Sequence, residues 1–179
     1  MAFGKIQGEF AAKLAERVLQ EVEIDAAMFS EPIGDNCGPL ISPKMYEDIV
    51  LRSYEPLFDL LARYNVETLI FRTYANARLL IPSLLKSGIN CLWACEVNLK
   101  AMDYGDLRRE FGRDLRLIGG IDLDALRRGR GAIREEIEQK VPPLIADGGY
   151  VPLADGRVRE DVPFEDFAYY RRLLKSMIG

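Results

Sequence analysis

The chain repeats one pattern five times: a short apolar run, then a polar or glycine-rich cluster, then an amphipathic helical stretch. The runs are Ile24 to Phe29, Thr68 to Phe71, Cys91 to Ala94, Leu115 to Ile118 and Tyr150 to Leu153. Alternation of this kind needs crossover connections, which join parallel strands. The polar clusters then collect at one edge of one sheet, where ligands bind in barrels and in open α/β sheets. The expected fold class is α/β with a parallel sheet, and its strand ends are where chemistry should be sought.

Size and charge narrow the reading. A compact chain of 179 residues buries roughly 70% of its unfolded surface, and 49% hydrophobic residues can fill one core. We therefore expect a single domain over residues 1–179. The net charge of -4 arises from mixed-sign helix faces such as Arg134-Glu135-Glu136, which is no nucleic-acid footprint. No apolar run approaches the ~20 residues of a membrane span, and Met1 to Gly8 lacks a signal-peptide core. Cys37, Cys91 and Cys95 follow no zinc-finger or CxxC spacing, which fits a reducing cytoplasm. With no histidine at all, the chain lacks the commonest general base and the commonest metal ligand.

Local signals place the helices. Phe10, Leu14, Val18 and Val22 recur at helical spacing and predict an amphipathic first helix. Ser30 to Pro39 reads as a long loop. Ser42-Pro43 reads as an N-cap followed by Pro at the first helical position, opening a helix through Leu61. Asn76, Asp103 and Asp122 are candidate caps, Gly88 and Gly112 are stops, and Pro142-Pro143 should bend or end the helix that begins near Ala132. Pro163 opens the last helix.

If the strands are parallel, Glu31, Asp35, Arg72, Tyr74, Cys95, Glu96, Asp122, Asp155 and Arg157 converge on one rim. Carboxylates there can move protons, and guanidinium groups suit planar carboxylates. We take Glu31, Glu96 and Asp155 as candidate catalytic groups and Arg72, Tyr74, Asp122 and Arg157 as candidate substrate contacts. Plainer roles stand beside these. Asp122 and Asn76 can act as caps alone, and Arg72 can form a structural ion pair with Glu96 or Asp155. Cys91 and Cys95 can be small core residues, and Gly119-Gly120 can serve close packing rather than a phosphate.

Three segments carry a family resemblance: Gly38-Pro39-Leu40-Ile41-Ser42-Pro43-Lys44-Met45-Tyr46, Leu117-Ile118-Gly119-Gly120-Ile121-Asp122, and Gly148-Gly149-Tyr150-Val151-Pro152, with Asp161-Val162-Pro163-Phe164-Glu165 as a fourth. From Ile24 onward the chain resembles the uroporphyrinogen decarboxylase superfamily, which also contains corrinoid-dependent methyltransferases. The resemblance implies a TIM-type (β/α)8 barrel, active at its C-terminal mouth, of which this chain supplies about five βα units. It implies a lyase of porphyrin biosynthesis acting on a carboxylate-bearing, tetrapyrrole-type substrate.

Two departures qualify that expectation. The superfamily's methyltransferases bind zinc through a His-x-Cys motif and a later cysteine; those positions hold Arg72-Thr73-Tyr74 and Ala154, which supply none of the three ligands. The superfamily's decarboxylation aspartate and arginine-rich segment belong to a part of the barrel preceding the matched region. The chain thus points to no metal and no cofactor. A methyltransferase relative without the zinc site and a non-catalytic half-barrel module are the alternatives. Two bare parallel edges call for a second copy or for a missing N-terminal half. A doubly wound open sheet is the rival fold, recognisable by a reversal in strand order.

Overall fold

A computed structural model describes residues 2–95 and 100–178. Its centre is one sheet of five parallel strands, β1 (Ala26–Ser30), β2 (Thr68–Thr73), β3 (Cys91–Ala94), β4 (Arg116–Ile121) and β5 (Tyr150–Ala154), in the order β1-β2-β3-β4-β5. The order follows the chain with no reversal, so the doubly wound arrangement is ruled out. The sheet is open: β1 and β5 have one strand neighbour each.

A sequential parallel order joined by right-handed crossovers puts every connecting helix on the same side. Burial along β2 follows this, with Leu69, Phe71 and Thr73 buried and Thr68, Ile70 and Arg72 only partly so. Phe29 of β1 packs on Tyr54 and Phe58 at ring distances of 5.1 and 5.3 Å. Both belong to α3 (Arg52–Arg63), which follows α2 (Pro43–Met45) and a π-helical turn, Tyr46–Leu51. Along the opposite face the register aligns Met28, Ile70, Cys91 and Arg116 in one row, and Ser30, Arg72, Trp93, Ile118 and Val151 in the next. Met28 is 52% and Val151 58% exposed. Parallel sheets are normally covered on both sides, and among the described residues helices cover this one on one side.

Several expected caps hold. Ser42 Oγ accepts from Met45 N at 3.2 Å. Asp103 caps α5 (Tyr104–Phe111) through Asp106 N at 2.9 Å, and Asp122 caps α6 (Leu123–Arg127) through Asp124 N at 2.8 Å. Asn76 does not cap a helix directly. Its Oδ1 accepts at 3.2 Å from the N–H of Arg78, the first residue of a 3-10 turn that leads into α4 (Ile81–Lys86).

Two helices depart from expectation. The prolines do not end α7 (Arg130–Asp147). Missing N–H groups at Pro142 and Pro143 leave unpaired only the i−4 carbonyls of Glu138 and Gln139, both exposed residues, while Val141 and Leu144 are buried and hold the helix across the gap. The first helix, α1 (Ala2–Leu19), forms as expected but turns its apolar row outward: Ile6 is 63%, Phe10 62%, Leu14 49% and Val18 53% exposed. Its small side is the buried one. A Cβ on Gly8 would lie 1.7 Å from the Ser53 carbonyl oxygen of α3, so α1 and α3 meet at backbone distance there.

Candidate functional site

Strands β4 and β5 end beside each other, with Ile121 opposite Ala154. The next residue in each is an aspartate, and both serve the start of α6. Asp122 Oδ1 takes Asp124 N, and the 6%-exposed Asp155 takes Leu123 N at 2.8 Å through Oδ1. The Asp122 amide donates to Glu136 Oε1 of α7, also at 2.8 Å. Capping thus explains one oxygen of each carboxylate.

The same strand ends floor a cavity of about 400 Å³, walled by Tyr74, Cys95, Asp122, Asp155, Arg127 and Arg157, with Asp124 and Arg159 at its margin. Of the expected site residues it unites Tyr74, Asp122, Asp155 and Arg157. Arg127 is committed in part, lying 3.1 Å from both Asp124 and Asp161. Arg157 and Arg159 are exposed. The lining sets three guanidinium groups, Arg127, Arg157 and Arg159, against three carboxylates, Asp122, Asp124 and Asp155, and the exposed Arg157 and Arg159 can turn toward an anionic group.

Arg72 stands beside this cavity, not in its wall. Its guanidinium lies 5.0 Å from the Tyr74 ring centre and 5.1 Å from that of Trp93, donates to the Tyr74 hydroxyl, and reaches Ser30 Oγ at 3.4 Å. Aromatic faces on two sides help hold the charge in place. Tyr74 and Cys95 connect this cluster to the cavity. Burial pushes the Cys95 thiol upward, against the opposing pull of Arg72 and Tyr74, and burial lifts the Cys91 thiol to about 11. Both cysteines are therefore protonated, buried and unsuited to nucleophilic work at neutral pH.

Glu31 is elsewhere. It is 8% exposed, and its two oxygens accept from Tyr46 (3.0 Å) and Tyr54 (2.5 Å). The π turn explains how one helical run supplies both hydroxyls. Residues eight apart diverge by about 80° on an α-helix, and a turn widened by one residue brings them back to one side. Burial raises the Glu31 carboxyl above its usual range against the lowering effect of both tyrosines, and burial, with Glu31 beside them, raises both phenols. Both oxygens of this expected catalytic carboxylate are engaged by tyrosine hydroxyls, and Glu31 is not among the residues that line the cavity.

Glu96 lies outside the described residues. Ala154, at one of the compared zinc positions, is buried at the end of β5, and among the described residues no group of three Cys, Asp or Glu side chains is placed to hold a metal. Gly119 and Gly120 serve close packing: a Cβ on Gly120 would meet the Tyr104 ring at 2.5 Å. Sequence reasoning missed Arg127, which α6 brings to the cavity beside Asp155 and Arg157, and the two tyrosines around Glu31. No family model matches the chain, and no curated protein matches it either.

Proposed function

We propose that the chain is the C-terminal portion of a uroporphyrinogen decarboxylase-like (β/α) barrel and that its cavity receives a carboxylate of a tetrapyrrole-type substrate. The observation that carries this reading is the convergence of Arg127, Arg157 and Arg159 with Asp155 at the C-terminal ends of parallel strands. Guanidinium groups pair with carboxylates in a planar, two-point fashion, and exposed ones can turn toward an incoming ligand. Asp155 fixes the floor through Leu123 N, and Tyr74, held by Arg72, offers a flat wall for a pyrrole ring.

The test is binding and turnover measured separately. Uroporphyrin, the oxidised and fluorescent relative of the substrate, is titrated into the protein; Arg157→Ala and Arg159→Ala together should weaken binding about tenfold or more. Unchanged affinity removes the arginines from the site. Incubation with uroporphyrinogen under reducing conditions then asks whether coproporphyrinogen forms.

The engagement of Glu31 favours a second reading, in which the chain binds such a ligand without converting it. A carboxylate shared between two tyrosines is withdrawn from proton transfer, and Asp155, the other catalytic candidate among the described residues, accepts from Leu123 N. Binding without product would establish that version.

A further inference from the structure

Resting on the carboxylate site proposed above, we infer that Arg72 and Trp93 form a second carboxylate-binding point beside the cavity, so that the ligand is a flat molecule carrying at least two carboxylates. Two buried nitrogens are the starting observation. Arg72 Nε and Trp93 Nε1 are each shielded from solvent and have no hydrogen-bond partner. A buried N–H without an acceptor forfeits the bond it made in water, and native folds rarely keep one. Arg72 and Trp93 are register partners on β2 and β3, so both side chains leave the sheet face opposite the helices, and the Trp93 ring centre lies 5.1 Å from the guanidinium carbon.

The guanidinium also lacks a counter-charge. Four arginines are partly buried, and three of them, Arg78, Arg108 and Arg127, have a carboxylate partner. Among the described residues Arg72 has none. Its hydrogen bonds go to hydroxyls, Tyr74 and, at 3.4 Å, Ser30 Oγ, and the further group that feels its pull is the Cys95 thiol. Withdrawing a cation from water without an anion is costly, and aromatic faces offset only part of that. A ligand carboxylate supplies both the missing charge and the missing acceptor. The placement suits a ligand already seated in the cavity, because Tyr74 and Cys95 belong to the cavity wall and to the Arg72 cluster alike. A flat frame resting on Tyr74, which is 42% exposed, can send one carboxylate to Arg157 and Arg159 and a second to Arg72. Whichever strands complete the sheet, Arg72 stays at the C-terminal end of β2.

Two titrations test this second point separately from the first. In the first, uroporphyrin binding is read by the ligand's own fluorescence. Arg72→Gln should weaken it about tenfold or more, and Arg72→Lys, which returns the charge without the planar fork, should recover only part of the loss. Circular dichroism checks folding; should Arg72→Gln not fold, Arg72→Lys alone decides, by binding more weakly than the wild type. In the second, propionate, a single acid arm, is added at constant ionic strength while the fluorescence of Trp93, the chain's one tryptophan, is followed. A saturable change is expected in the wild type and in the Arg157→Ala, Arg159→Ala double variant, and none in Arg72→Gln. Unaltered uroporphyrin affinity in Arg72→Gln, or a Trp93 signal that propionate does not move, overturns the second point and leaves the cavity arginines standing. Tyr74→Phe keeps the ring and removes the hydroxyl; a loss equal to that of Arg72→Gln would mean that Arg72 only holds Tyr74, which also overturns it. A wild type that ignores uroporphyrin but answers propionate through Arg72 would sink the tetrapyrrole reading and keep the carboxylate point.

Discussion

Gly120 lies inside β4 with φ +84°, and its missing Cβ is the space into which the Tyr104 ring fits. That tyrosine ties three elements together, donating to Ile118 O at 2.6 Å and accepting from Ala94 N at 2.9 Å. Gly120→Ala should cost roughly 2–4 kcal/mol, combining a left-handed backbone with overpacking, measured by denaturant unfolding. A cost below about 0.5 kcal/mol would mean that Tyr104 moves freely. Glu31 leads to a pH prediction. Its folded carboxyl titrates above the ordinary 4.5, so its contribution is fully present below that value and is lost as pH rises through the raised one. Glu31→Gln has no such titration. Unfolding free energies taken from pH 4 to 8 should show the variant gaining on the wild type as pH rises; parallel curves would show that Tyr46 and Tyr54 compensate fully for the burial. Neither residue's setting is visible in sequence, since Glu31 meets its tyrosines across separations of 15 and 23 residues.

At the scale of elements, α1 is held to α3 through its small residues, and Gly8 is the tightest point, set against the Ser53 carbonyl. Gly8→Ala should push α1 off α3 at a cost of about 1–3 kcal/mol. Limited proteolysis would then cut within residues 2–19 faster than in the wild type, with the sheet intact; equal cutting rates would contradict the contact. The five strands could be read from sequence because β-branched and aromatic runs mark buried parallel strands whatever the tertiary context. Strand ends were legible for the same reason, and with them Asp122, Asp155, Tyr74 and Arg157. The π turn was not, since nothing in Tyr46 to Leu51 departs from helical spacing. Nor was the course of α7 through Pro142 and Pro143, which depends on Val141 and Leu144 reaching the core. The outward row of α1 was legible as apolar periodicity, but periodicity names a face without saying what lies against it.

For the whole molecule, the question is how a one-sided sheet with two bare edges stays folded. Helices cover the side bearing Phe29, Phe71, Leu92, Leu117 and Tyr150, and the side bearing Met28, Trp93 and Val151 awaits a cover that sequence alone could anticipate only by counting strands. Where a second copy supplies that cover, stability depends on concentration, because unfolding then separates two chains; where further strands of one longer chain supply it, stability does not. Each tenfold rise in concentration adds about 1.4 kcal/mol per dimer. Spread over the unfolding entropy of two chains of this length, that raises Tm by about 2 °C. Calorimetry across a hundredfold range separates the two, with a rise of about 4 °C where a second copy closes the sheet. A Tm that stays constant for the wild type over that range would mean that each chain unfolds alone, with its edges and its apolar face left to solvent.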